Sequence, residues 1–514
     1  MVVRSPAEAT RRWWVLAVLC LSVLLVSVDN TIVNVALPTL AAELSADTSG
    51  LQWVVDGYTL VFAALLLLGG HLGDRFGRLR VLQVGLVLFG VTSLLAALAG
   101  TTGQLVAARA AMGAAAALVF PATLALLVVA FPDRRERATA IGVWSAVTGL
   151  SVAIGPVSGG LLLEHFAWGS VFLVNLPLVA LALVAGRVLL RESRSAEHGR
   201  FDVGGVLGSV AGVGLLVWTT IEAPGHGWTA PLTLAGYAAA ALLLAGFVRW
   251  ELRRPDPLLD VRLFTDRRVS AASVAIALAF FALFGFIFLI TQYLQAVLGY
   301  GTLAAGVATL PFATVIAVTS PVAVLLVRRV GTAVVVTAGL LVMAAGFAVA
   351  AGAAVDSAYW GRIVVSMVLM AAGLGLVTSP ATETVMGALR AGQAGAGSAV
   401  NDTVRELGGT LGVAVVGSVT STVYAPAVRD GLAGLPAAVR DAATDSVVAG
   451  LAAASRLPDG VAAAEVVRRS FVDGLSAGSW VCAAACVAGA LVAAVWLPAR
   501  RPAAVPVPEP VPAA

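Results

Sequence analysis

The sequence has no lysine; arginine supplies all 32 of its basic residues. A phosphate-binding Gly-Lys-Ser/Thr loop is therefore missing, which excludes ATP hydrolysis by that device. Charge of either sign is scarce: 12% of residues, against about 25% in an ordinary soluble domain. Cysteine is nearly absent. Cys20, Cys482 and Cys486 all sit in apolar runs, the last two one helical turn apart, and read as packing residues rather than metal ligands. The four histidines, His71, His165, His198 and His226, have no ligand spacing. No G-x-S-x-G nucleophile elbow occurs. Period-two alternation is missing too, which argues against a membrane β-barrel. The chain is read as a non-enzyme that needs no bound cofactor, and nothing in it suits nucleic acid.

What is present is apolar. Hydrophobic residues make up 60% of the 514, with a mean hydropathy of +0.96. They fall in fourteen runs of about 20 residues, the length that crosses a bilayer as a helix. The first run is placed at 13–36, the thirteenth at 404–424 and the last at 477–497. Arg11 and Arg12 precede the first run as in a signal peptide, but the run is too long for a signal core and reads as an uncleaved span. With the N-terminus placed in the cytoplasm, 25 of the 32 arginines fall on that side. This asymmetry predicts a multi-pass plasma-membrane protein with both termini cytoplasmic.

The expected division is a six-helix half over 1–195, two inserted helices over 196–252, and a second six-helix half over 253–514. The long segment 425–476 is expected outside. Its stretches PAAVRDAATDSVVAGLAAAS and GVAAAEVVRRSFVDGL read as short surface helices. The proline-rich tail is expected to be disordered. Two echoes suggest a repeat. Pro121-Ala122-Thr123 in span four matches Pro380-Ala381-Thr382 in span twelve, and DRFGR after span two resembles RRVGT after span ten. Both pair span n with span n+8. Halves so related are a transporter architecture with its site between them.

Ionisable residues inside spans are expensive and read as functional. Asp29, Asp56 and Arg109 are three such groups in the first half. At 1.5 Å per residue, Asp56 and Arg109 lie roughly 10 Å from the outer ends of their spans, and Asp29 somewhat deeper. One interacting cluster is expected. An opposite charge favours an ionised carboxyl and loss of water disfavours it. Closing a cavity around them would then move a proton. Asp29 reads as a proton or cation site, or as a structural partner of Arg109. In the second half, Asp402 and Glu406 share a helix face near the inner end of span thirteen. They read as substrate contacts, with helix capping by Asp402 as the other reading. Glu383 stands between cavity wall and interface.

GHLGDRFGRLR, from Gly70 to Arg80, closes span two. Its glycines permit a tight turn and close helix approach, and Asp74 among Arg75 and Arg78 is placed to latch a neighbouring helix end. This loop resembles the signature of the major facilitator superfamily. Gly149 and IGPVSGGLL, with Gly155, Pro156, Gly159 and Gly160, resemble the glycine–proline helix of its antiporters. Small residues there allow intimate packing, and a proline bends the helix. LVAARAAMG, DNTIVNVALP and WGSVFLVNLP resemble further blocks of the fourteen-span drug:proton antiporters. Gly169 stands where those proteins usually have arginine, and span ten lacks the acid that some exporters of polyvalent cations carry. The resemblance implies a monomer in the lipid bilayer that exports a small drug or antibiotic, driven by protons. An importer on the same fold and a non-transporting membrane sensor are the alternatives.

Overall fold

The computed structural model describes residues 6–194, 202–255, 257, 259–387, 394–458 and 460–497. His198 and the proline-rich tail lie outside them. Every regular element among the described residues is helical. In lipid a helix alone satisfies its own backbone, so long apolar runs take that form.

Among the described residues, fourteen helices are long and apolar enough to cross a membrane. Spans one to six are Arg11–Glu43, Thr48–Phe76, Arg78–Ala97, Thr102–Ala130, Thr139–His165 and Ser170–Leu189. Spans seven and eight are Val203–His226 and Pro231–Glu251. Spans nine to fourteen are Arg267–Val297, Thr302–Val330, Thr332–Ala351, Tyr359–Met386, Val400–Gly431 and Gly460–Trp496.

The faint sequence repeat has a structural counterpart. In the first half, span four packs on spans two and three, and span one on span five. Span twelve packs likewise on ten and eleven, and span nine on thirteen. A single glycine joins span two to three and span ten to eleven. These are Gly77 and Gly331, with φ of 109° and 88°. That backbone region strains any residue with a Cβ. The two Pro-Ala-Thr triplets also match in their bonds: Thr123 Oγ1 accepts from Trp144 of span five, and Thr382 Oγ1 donates to Asn401 of span thirteen.

Spans seven and eight form a hairpin. Span seven leans on spans two and thirteen, whereas span eight is mostly exposed to the surroundings of the bundle. Ser418 Oγ donates to Thr220 O, and Trp228 Nε1 donates to Thr422 Oγ1. The inserted pair is thus hydrogen-bonded to span thirteen.

The segment after span thirteen follows expectation in its first stretch and departs from it in the second. PAAVRDAATDSVVAGLAAAS forms two short helices, Ala437–Asp445 and Val447–Ala454. GVAAAEVVRRSFVDGL is not a separate surface helix. It is the start of the unbroken helix Gly460–Trp496, 37 residues or about 55 Å long. No proline interrupts it, and Val467, Phe471 and Leu475 recur every four residues on one buried face. Its first turns therefore rise beyond a hydrocarbon layer of about 30 Å.

The two short helices reach across to the first half, where Thr48 Oγ1 donates to Asp445 O at 3.1 Å. Partial burial, then the nearby Asp47 and Asp441 carboxylates, push the Asp445 carboxyl above its ordinary range. A carboxyl raised on docking favours the docked form when protonated, so docking weakens as pH rises through the raised value. Asp445→Asn is expected to remove this dependence. Hydrogen-exchange protection factors over 437–454, taken relative to the intrinsic rate at each pH, should then be equal at pH 5 and pH 8, whereas the wild type should be less protected at pH 8.

Candidate functional site

Span four approaches span two through small residues. A Cβ on Gly57 would lie 3.4 Å from Val106 O, and one on Gly113 would collide with the backbone of Tyr58. This close packing leaves one large polar side chain between helices. Arg109 is fully buried, as is Asp29 on span one, and Arg109 Nη1 contacts Asp29 Oδ2 at 2.5 Å. The other carboxylate oxygen, Oδ1, accepts from Asn175 Nδ2 at 2.8 Å, and Asn175 also donates to Ser93 Oγ at 2.9 Å. Arg109 Nε donates to Val54 O at 3.1 Å, and its guanidinium lies 4.2 Å from the Tyr58 ring centroid. Tyr58 in turn donates to Val26 O. A buried ion pair persists when its remaining polar atoms are satisfied, and this arrangement largely does so. Spans one, two, three, four and six all contribute.

Asp56 is not part of this cluster. It lies two residues from Val54 and from Tyr58, which both touch Arg109, and two helical residues turn a side chain by about 200°. It faces the second half instead. Gln52, one turn before it, donates to Val413 O and Ala414 O of span thirteen. Thr59, three residues after it, accepts from Thr410 Oγ1 at 2.9 Å. Asp56 is fully buried in this seam, with the Thr59 hydroxyl as the neighbouring side-chain group that can serve its carboxylate.

Glu406 reaches the same seam from span thirteen, facing Asn30 of span one. Asp402 pairs with Arg405 at 3.8 Å, and Arg405 lies over the Phe280 ring. The capping reading of Asp402 fails because its helix starts at Ala394, two turns earlier. Glu383 is exposed on span twelve.

The halves meet along two main seams. Spans two and thirteen meet at Gln52, Thr59 and Thr410. Spans five and ten meet where Thr302 Oγ1 donates to Gly160 O, and where a Cβ on Gly306 would collide with Pro156 O. Gln295 of span nine also donates to Val35 O of span one. These contacts lie toward the arginine-poor end of the bundle. Toward the arginine-rich end, Gly142, Ala146, Leu150 and Glu383 are exposed. The bundle is closed at its arginine-poor end.

Three of the four glycines of the span-five motif pack closely: Gly155 and Gly159 within the first half, and Gly160 against span ten, where it builds this closure. Cβ atoms on Gly155 and Gly159 would press into Thr31 and Ile32 of span one. One on Gly160 would fall 2.7 Å from Leu303 Cα. Pro156 lies inside the helix between them. Gly149 is different, because it is exposed with open space around it.

The loop after span two is also partly corrected. Gly77 makes the turn as expected, but Gly70 meets only ordinary contact; its neighbour Gly69 is the one pressed against Ala117 O. Asp74, in the last turn of span two, reaches the start of span three as expected. It accepts from Arg78 Nη2 at 2.7 Å across the one-residue turn, while Arg75 lies over the Phe76 ring. A second contact to the start of span three comes from Glu192, after span six. Its carboxylate accepts from the backbone N–H groups of Leu79 and Arg80 at the start of span three.

Residues 19–413 match the model of the Major Facilitator Superfamily. The chain is 36% identical to the multidrug efflux pump LfrA of Mycolicibacterium smegmatis, covering 96% of this chain and 97% of that one. It is 34% identical to the tetracenomycin C resistance and export protein of Streptomyces glaucescens, covering 100% and 97%. It is 37% identical to the puromycin resistance protein pur8 of Streptomyces alboniger, covering 82% and 84%. In fold it resembles a bacterial homologue of the human lysosomal transporter Spinster in its inward-facing, unoccupied form. The TM-score is 0.62 at 18% identity, covering 94% of this chain and 97% of that one. The chain belongs to the major facilitator superfamily.

Proposed function

We propose that this protein exports a small hydrophobic or cationic drug or antibiotic from the cell, driven by inward proton flow. The observation that carries the reading is the fully buried Asp29, shared between Arg109 and Asn175 in the half whose spans two and five meet the other half toward the arginine-poor end. A carboxylate so placed exchanges its proton when the seam opens and water enters. The relatives support the substrate class, since they are efflux and resistance proteins for multiple drugs, puromycin and tetracenomycin C.

The arginine-rich end is cytoplasmic in this reading, with both termini inside and the plasma membrane as location. The structure then represents the inward-open state. Asp56, Gln52, Thr59, Thr410 and Gly160 belong to the outer gate, while Glu406, Asp402 and Glu383 lie toward the cytoplasmic side. A ladder of aromatic rings, Tyr58, Phe62, Phe120 and Trp144, runs inward from Arg109 with successive centroids 5.9, 5.8 and 5.2 Å apart. Tyr58, Phe62 and Trp144 are buried and Phe120 is half-buried, so within this ladder Phe120 is the ring placed to offer stacking surface to a planar or cationic drug. One inward proton contributes about 2.3 kcal/mol per 100 mV, enough for a substrate gradient of about 50-fold by the electrical term alone.

The test is reconstitution in liposomes holding a pH dye, acid inside, with drug added outside and both protein orientations counted. Export by antiport gives proton efflux that starts on drug addition and saturates with it. Proton and drug moving in the same direction would establish an importer and sink the proposal.

A further inference from the structure

We propose that the groove between spans three and six is a binding site for one anionic phospholipid. This groove lies on the outer wall of the first half, away from Asp29 and from both seams. It has a volume of about 570 Å³ and is lined by Gln83, Val84, Val87 and Leu88 of span three and by Leu183, Val184, Arg187 and Val188 of span six.

Its polarity is graded along its length. Arg187 and Gln83 stand at the arginine-rich end, and the remaining lining is aliphatic. Leu88 lies ten residues into span three, about 15 Å from its start at Arg78. That depth is half of a hydrocarbon core of about 30 Å, so the groove matches one leaflet and one acyl chain. Val184 and Val188 are 66% and 70% exposed, so the protein itself does not fill the space.

The head of the groove selects charge. Arg187 is exposed, and no carboxylate forms an ion pair with it among the described residues. Arg80 lies one helical turn outward from Gln83 on span three, with its side chain 78% exposed. Glu192 pairs with Arg80 at 3.8 Å and accepts from the N–H groups of Leu79 and Arg80, which leaves the Arg187 charge unneutralised. The residual field is positive at headgroup depth, and a guanidinium matches a phosphate in geometry as well as in charge. A zwitterionic headgroup gains less there, and a hydrophobic cation is repelled. The leaflet is cytoplasmic if the orientation proposed above holds; the site itself does not depend on transport.

The full chain would be placed in nanodiscs of phosphatidylcholine with a minority of phosphatidylglycerol, released gently, and its retained lipids counted by native mass spectrometry. Wild type is expected to retain phosphatidylglycerol in preference to phosphatidylcholine. Arg187→Gln should lower that preference about fivefold, and Arg187→Lys should keep most of it. Val184→Trp fills the groove with every charge in place and should abolish retention of either lipid. Val188→Trp serves the same purpose if Val184→Trp is not monodisperse. Equal retention of the two lipids by wild type, or retention unchanged by the tryptophan variants, overturns the proposal. So would a cationic dye that displaces the lipid and binds Arg187→Gln more tightly, since the groove would then be a drug vestibule. Failure of antiport in liposomes leaves lipid retention unaffected, so the two readings fail separately.

Discussion

Liposomes carrying Asp29→Asn are expected to show no proton efflux on drug addition, a loss of at least about 100-fold, which corresponds to nearly 3 kcal/mol of coupling. The substitution preserves the shape of the side chain but removes both its charge and its exchangeable proton. It also leaves Arg109 buried beside a neutral partner. Breaking a buried pair in this way costs about 3–5 kcal/mol, because the remaining charge is uncompensated. Lower folded yield alone would therefore mimic loss of coupling. The double variant Asp29→Asn with Arg109→Gln separates the two effects. It removes both charges, so it is expected to recover most of the thermal stability lost by Asp29→Asn alone. Val54 O and the Tyr58 ring, which Arg109 now engages, would then face a neutral amide. Proton efflux should remain absent in the double variant. Wild-type efflux from Asp29→Asn, at equal folded amount, would remove Asp29 from the proton path. Attention would then move to Asp56, the other fully buried acid of the first half.

Much of the fold was legible because bilayer physics writes in long runs. The fourteen spans follow from run length, and the repeat from one triplet and one glycine. Gly77 and Gly331 are separated by 254 residues, yet each makes the same one-residue turn with positive φ. Helix ends were harder. Nothing in Gly460–Leu475 distinguishes an amphipathic surface helix from the first turns of a span, because both have one apolar face and no proline.

In the site, the ionisable residues were legible and their grouping was not. Counting residues from the span ends gives depth, and Asp56 and Arg109 do lie at similar depth. Depth says nothing about the angle around the helix, and that angle turns Asp56 away from Arg109 and toward span thirteen. Neutral partners were invisible for another reason. Asn175 and Ser93 hold the second oxygen of Asp29 through a chain that crosses two more helices. Asn175 stands in the WGSVFLVNLP block, and a polar amide inside an apolar span was the available signal. Glu192 gave no signal, because an acid in a loop rich in arginine reads as a solvated ion pair. Its role depends on the backbone N–H groups of another span.

Gly160→Leu is expected to abolish transport by preventing closure of the outer gate, while Gly149→Leu is expected to leave it near wild type. Both residues belong to one motif on one helix, and only their surroundings differ. A Cβ at Gly160 would already lie 2.7 Å from Leu303 Cα, against a backbone that cannot rotate away. Thr302 also donates to the Gly160 carbonyl, so pushing span ten outward breaks that bond. Overpacking of this kind costs about 1–3 kcal/mol or more. That cost falls on the outer-closed state alone, because the seam is apart when the outer end opens. A two-state equilibrium responds to such a difference by about 5- to 150-fold. The variant should therefore fold and insert normally yet dwell open at its arginine-poor end. Spin labels at the outer ends of spans five and ten would report this as a distance distribution shifted to longer values, with proton-coupled export lost in parallel. Gly149 has nothing within reach of an added Cβ, so leucine there should alter neither the distances nor the rate. An unchanged distance distribution in Gly160→Leu, with full transport, would mean that the close approach of spans five and ten does not gate the outer end.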